Sequence, residues 1–158
     1  MKTLIILLMT FGMSVTFSAN AEDFNNIKIA KGRYLVEISG CNDCHTSGYA
    51  PSGGKVPEAQ WLLGDQLGYN GPWGTTYPIN LREYISHISE EEWVKKAKTL
   101  KARPPMPSWA LNAMTKDDLK TLYAFIKSLG PAKNSIPAYL PPGKTPKTAY
   151  IQWPMPPK

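Results

Sequence analysis

The sequence predicts an all-α domain. Two segments repeat apolar residues at helical spacing, a third opens on a helix cap, no stretch of useful length alternates as a strand, and no internal repeat is visible. The first helix is expected over 27–39, where Ile27, Ala30, Tyr34, Leu35 and Ile38 recur every three or four positions. Gly32 sits inside it, at a cost of about 1 kcal/mol relative to Ala. Either another backbone comes close at that point or the helix simply has a weak spot. Residues 46–80 read as loop because Gly and Pro recur throughout, from Gly48 and Pro51 to Gly74 and Pro78. Trp61, Leu62, Leu67, Tyr69, Trp73 and Tyr77 are scattered through that loop, and so many apolar side chains need something to pack against.

The second helix begins at Ser89-Glu90-Glu91-Glu92, a capping box flanked by Ile88 and Trp93 at staple positions, and ends near Leu100 or Lys101. The third is expected over about 116–129, with Thr115 as N-cap. Leu119, Leu122, Tyr123, Ile126 and Leu129 form its apolar face, and Gly130-Pro131 stops it. Residues 131–158 hold eight prolines and no helical period, which predicts an extended tail laid along the domain.

Residues 41–45 read Cys-Asn-Asp-Cys-His and contain both cysteines of the chain. This C-x-x-C-H spacing is the attachment signature of a c-type haem. Two thiols on one helical turn can each add to a vinyl group of one porphyrin, and the adjoining imidazole can bind the iron. The expected cofactor is therefore one covalent haem c, anchored by Cys41 and Cys44 and ligated by His45, and it supplies the partner that the aromatic loop lacks. A plain disulfide is a second reading of the two cysteines. A redox C-x-x-C pair is a third, but no strand precedes Cys41. Zinc would need donors beyond His45 and His87.

Haem attachment calls for an export route. Lys2, the apolar run from Leu4 to Phe17 and Ala19-Asn20-Ala21 make a secretory signal peptide over residues 1–21, cleaved after Ala21. The expected layout is a haem domain over 22–130 and a tail over 131–158, in a periplasmic protein with no membrane span in its mature chain.

The face of the iron away from His45 has four sulfur or nitrogen candidates: Met106, Met114, Met155 and His87. Met106 is favoured because it lies in Arg103-Pro104-Pro105-Met106-Pro107. The prolines fix φ and remove amide donors, so the segment is stiff and can hold one side chain at a set point. Met114 reads as the staple of the third helix and His87 as a surface or helix-entry residue. A Met thioether favours ferrous iron and closes the sixth position, which points to outer-sphere electron transfer. The contrasting expectation is a haem enzyme or gas-binding sensor with an open distal site.

Several stretches together resemble a single-haem bacterial class I cytochrome c. They look most like the haem domains of cytochrome subunits that serve membrane-bound alcohol and sugar-acid dehydrogenases. These stretches are Gly32-Arg33-Tyr34-Leu35-Val36, Gly40 to Thr46, Trp73 to Leu81, Pro105-Met106-Pro107, Met114 to Leu119 and Leu122 to Leu129. The resemblance implies a class I cytochrome fold, Met106 as the axial ligand, and a crossing of the first and last helices near Gly32. The chain departs from those subunits in carrying one haem motif where they usually carry three, and a proline-rich tail where they often carry a membrane anchor.

Without Lys2 the chain has 17 basic and 12 acidic side chains, a net of +5. Two haem propionates would lower this to about +3. Either the excess steers an acidic-surfaced redox partner, such as a dehydrogenase, oxidase or reductase, or it serves only solubility. The lysines are dispersed and export is expected, so nucleic acid is not an expected partner. The tail reads equally as a docking arm or as a strap over the domain's own surface.

Overall fold

The computed structural model describes residues 21–154. The expected signal segment therefore lies outside the described residues except for Ala21, as does Met155. Helix α1 (Ala21–Ile38) is longer than its apolar period predicts, with Glu22 and Asp23 in the first turn where the helix dipole favours acid. The period itself marked the wrong face: Ile27, Ala30, Tyr34 and Ile38 are exposed, and the buried side of the helix carries Gly32 and Val36, because close approach to a neighbouring helix selects a small residue that no apolar period counts. It packs along α6 (Lys116–Ser128). Gly32 marks their crossing: a Cβ there would lie 2.1 Å from the Thr121 carbonyl oxygen and 2.7 Å from Phe125 Cβ. The glycine is thus a requirement of the close approach and not a weak spot.

Both predicted caps form. Ser89 accepts from the Glu92 amide, and the Glu92 carboxylate accepts from the Ser89 amide, which starts α4 (Glu90–Thr99). Thr115 accepts from the Asp118 amide to start α6. Trp93 ties the two helices by donating from Nε1 to the Leu119 carbonyl at 2.8 Å. Val36, Leu62, Ile85, Leu119, Leu122 and Phe125 fill the centre and are nearly solvent-free.

Two helices had no sequence expectation: α3 (Leu81–Ser86), capped by the Asn80 side chain, and the short α5 (Ser108–Ala113). Their lengths explain this, because six residues cannot display a helical period. From α3, Arg82 reaches the carboxyl end of α6. Its guanidinium donates to the Gly130 and Ala59 carbonyls at 2.7 and 2.8 Å and to the Leu129 carbonyl. Burial lowers its pKa. The cation sits where the last carbonyls of a helix are otherwise orphaned.

The segment 46–80 is not uniformly loop. It contains a 3₁₀ turn at Glu58–Gln60 and a hairpin of β1 (Gly68–Gly71) with β2 (Gly74–Thr76). The tail adds β3 (Tyr150–Gln152) in parallel to β1, giving the sheet order β2-β1-β3. The sequence reading found no strands. These strands run for three or four residues, too short to establish alternation.

The extended tail runs back over the domain as a strap. Leu140 exchanges both backbone hydrogen bonds with Thr75, at 2.8 and 3.1 Å. Asn80 donates to the Ala132 carbonyl, Asn134 to the Leu63 carbonyl, and the Trp153 amide to the Asn70 carbonyl. No described helix is long and apolar enough to cross a membrane.

Candidate cofactor site

The C-x-x-C-H segment forms its own short helix, α2 (Cys41–His45). Gly40 makes it possible by taking φ +67°, a left-handed conformation that ends α1 and redirects the chain within one residue. The turn is held from inside. Thr46 donates its hydroxyl to Asn42 Oδ1 at 2.7 Å and accepts from the Leu62 amide at 2.8 Å. The Gly64 amide donates to the His45 carbonyl at 2.8 Å.

Cys41, Cys44 and His45 line a cavity of about 910 Å³ together with Met106. This is near the upper end of the usual range for cofactor sites. No disulfide joins the two cysteines, and both are half-buried. Burial pushes the Cys41 thiol up to about 11. Tyr69 donates its hydroxyl to Cys44 Sγ at 3.5 Å. Burial, followed by that hydrogen bond, pushes the Tyr69 pKa up.

His45 is buried, and its Nδ1 lies 2.8 Å from the Ile79 carbonyl oxygen. A carbonyl can only accept, so Nδ1 carries the proton and Nε2 keeps its lone pair. Burial lowers the imidazole pKa, with the Ile79 bond acting in the opposite direction. A neutral ring, held in one tautomer by a backbone carbonyl, is the arrangement that readies a histidine for a metal. Ile79 acts through its main chain, so no side-chain signal could have marked it.

Of the four candidates for a second axial donor, Met106 lines the cavity. Met114 packs at the edge of the core, and His87 is exposed and paired with Glu83 at 3.0 Å. Neither is among the cavity's lining residues. Trp61 and Leu62 were expected to pack on a cofactor, but they lie in the protein core instead, with Trp61 edge-on to Phe125. Tyr69 and Tyr77 do face the cavity.

The lining suits a porphyrin. It is largely apolar, with Leu100, Leu111, Leu122 and Ile126 among its walls. Its polar members can meet carboxylates: Thr76 has a buried hydroxyl without a partner, and Lys96, Lys101 and Arg103 add positive charge.

Over 110 residues, 62% of this chain, the sequence is 31% identical to the fructose dehydrogenase cytochrome subunit of Gluconobacter japonicus. The match covers 20% of that protein, so the chain spans about a fifth of the relative's length. The similarity supports a relation to cytochrome subunits. No family model matches the chain, and no solved structure matches it.

Proposed function

We propose that this chain is a periplasmic electron-transfer cytochrome. It would hold one haem c through thioethers at Cys41 and Cys44, with His45 and Met106 as axial ligands. The observation that carries the reading is His45. It is a buried imidazole whose Nδ1–H is fixed on the Ile79 carbonyl, next to both cysteines and in one cavity with Met106. The bound haem would supply an iron that changes valence by one electron. The chain's own residues do the rest. Ile79 fixes the tautomer, the apolar walls exclude water, and Thr76, Lys96 and Lys101 would meet the propionates. With His45 and Met106 both holding the iron, the chain would act as a carrier or carrier subunit rather than as a catalyst.

The similarity to a dehydrogenase's cytochrome subunit supports a dehydrogenase as electron donor, and the net positive charge supports an acidic surface on it. Export accounts for covalent attachment outside the cytoplasm, and the segment up to Ala21 is the proposed signal peptide.

The test is a visible spectrum of the purified oxidised and reduced protein. Covalent haem, a low-spin spectrum and the weak far-red band of Met-to-ferric-iron ligation are expected. Met106→Ala should abolish that band and lower the reduction potential. A colourless protein, or a five-coordinate ferrous form that binds CO rapidly in the wild type, would overturn the proposal. The latter result would favour an open-site haem enzyme or sensor.

A further inference from the structure

The tail does more than cover the sheet. Ile136, Pro137, Ala138 and Tyr139 form part of the cavity wall. Tyr139 is fixed at two points. Its hydroxyl donates to the Trp73 carbonyl at 2.9 Å, and its ring lies under the Arg103 guanidinium, 3.8 Å from carbon to ring centroid. The next residue, Leu140, is locked to Thr75 by the paired backbone bonds already described. The tail at this point is therefore anchored to the hairpin.

Arg103 is the first residue of the stiff segment that carries Met106. The Met106 amide donates to the Arg103 carbonyl at 3.3 Å, so the two residues close one turn. Pro104 and Pro105 have no amide to bond elsewhere. Among the described residues Arg103 makes no ion pair, and its guanidinium is placed on Tyr139. The flat, delocalised cation suits a ring face better than a lysine would.

We infer that Tyr139 is a positioning residue for the axial methionine. The tail, through the Tyr139–Arg103 stack, holds the Met106 segment against the cofactor cavity and sets how readily the thioether leaves the iron. The inference rests on the reading of Met106 as axial ligand. Loosening the stack raises the fraction of molecules with the methionine detached, and an exogenous nitrogen ligand captures those molecules.

The experiment titrates imidazole into the ferric, haem-loaded, full-length protein and follows loss of the far-red band. Tyr139→Ala should raise imidazole affinity roughly tenfold, as expected for loss of a ring–cation contact and a hydrogen bond. Tyr139→Phe keeps the stack and should stay within about threefold of wild type. Arg103→Ala removes the stack but not the hydroxyl bond to Trp73, so it should raise affinity somewhat less than Tyr139→Ala, and the double variant should add little to Tyr139→Ala, which already lacks the stack. If Tyr139→Ala fails to fold, Tyr139→Leu keeps the bulk without the aromatic face, and the same rise is expected.

Imidazole affinity within twofold of wild type in the Ala or Leu variant would overturn the role of Tyr139. So would fully multiplicative effects of the two single substitutions. Met106→Ala separates the two levels. If wild type binds imidazole as readily as Met106→Ala does, the ligand assignment itself has failed and this inference falls with it. If wild type resists imidazole and Tyr139→Ala resists it equally, the role of the tail alone is refuted.

Discussion

Replacing Gly32 with Ala should destabilise this protein, although alanine is the better helix former. The substitution gains about 1 kcal/mol of helix propensity. The added methyl, however, would stand 2.1 Å from the Thr121 carbonyl oxygen and 2.7 Å from Phe125 Cβ. An ordinary carbon–oxygen contact is about 3.3 Å, so α1 and α6 must part by roughly 1 Å. A gap of that size forfeits up to about half of the dispersion energy across it. Val36, Leu122 and Phe125 lie in the affected core and are at most 2% exposed. If each holds about 15 atom contacts across the seam at about 0.15 kcal/mol, halving them costs about 3 kcal/mol in all. The net is a loss of about 2 kcal/mol, within the usual range for overpacking. Urea unfolding followed by far-UV circular dichroism should show a midpoint lower by about 1 M with an unchanged slope. Ala30→Gly, at an exposed position of the same helix, serves as the control and should lose only about 1 kcal/mol. A Gly32→Ala midpoint equal to or above wild type would refute the close-packed crossing.

Arg82→Met should cost about 2–4 kcal/mol, because it strands three carbonyls that the guanidinium now serves. A melting temperature within about 2 °C of wild type would contradict this. Ser89→Ala and Thr115→Ala should each cost about 1 kcal/mol and add when combined, since they cap different helices. A saving in the double variant would show that the caps are coupled. In acid, two surface carboxylates matter: Asp118, lowered mainly by its bond with Lys31, and Glu92, lowered mainly by the Ser89 amide. Depressed carboxylates stabilise the fold above their unfolded pKa of about 4 and lose that effect as pH falls through the lower folded value. Stability should therefore decline below about pH 4, and Asp118→Asn should show a shallower decline. An identical acid slope in the variant would rule out that contribution.

Features that act over a few adjacent residues were legible in the sequence. The capping box at Ser89 and the N-cap at Thr115 are set by side chains reaching their own backbone, and the stop at Gly130-Pro131 by the left-handed glycine and the missing proline amide; all three formed as read. The apolar face of the third helix was read for the same reason, but the first helix was read with the wrong face: Ile27, Ala30, Tyr34 and Ile38 are exposed, and Gly32 and Val36 face inward. The tail strand was not legible, because the paired residues Gly68 and Tyr150 meet only after the chain has folded back, and the hairpin strands are too short to show alternation. The short helices α3 and α5 fell below the length at which a period can be seen.

The sequence by itself determined the candidate chemistry. Cys41, Cys44 and His45 are joined by covalent spacing, and the prolines around Met106 stiffen their own segment, so both features are properties of neighbours. Only the tertiary structure decided what acts at a distance. It placed the Ile79 carbonyl on His45, brought Met106 into the same cavity and not Met114 or His87, and turned an ambiguous tail into a wall held by Tyr139 and Arg103. The physical reason is separation along the chain. A hydrogen bond or ring stack between residues 34 or 36 positions apart leaves no local pattern, and it exists only once packing of the core has fixed both ends.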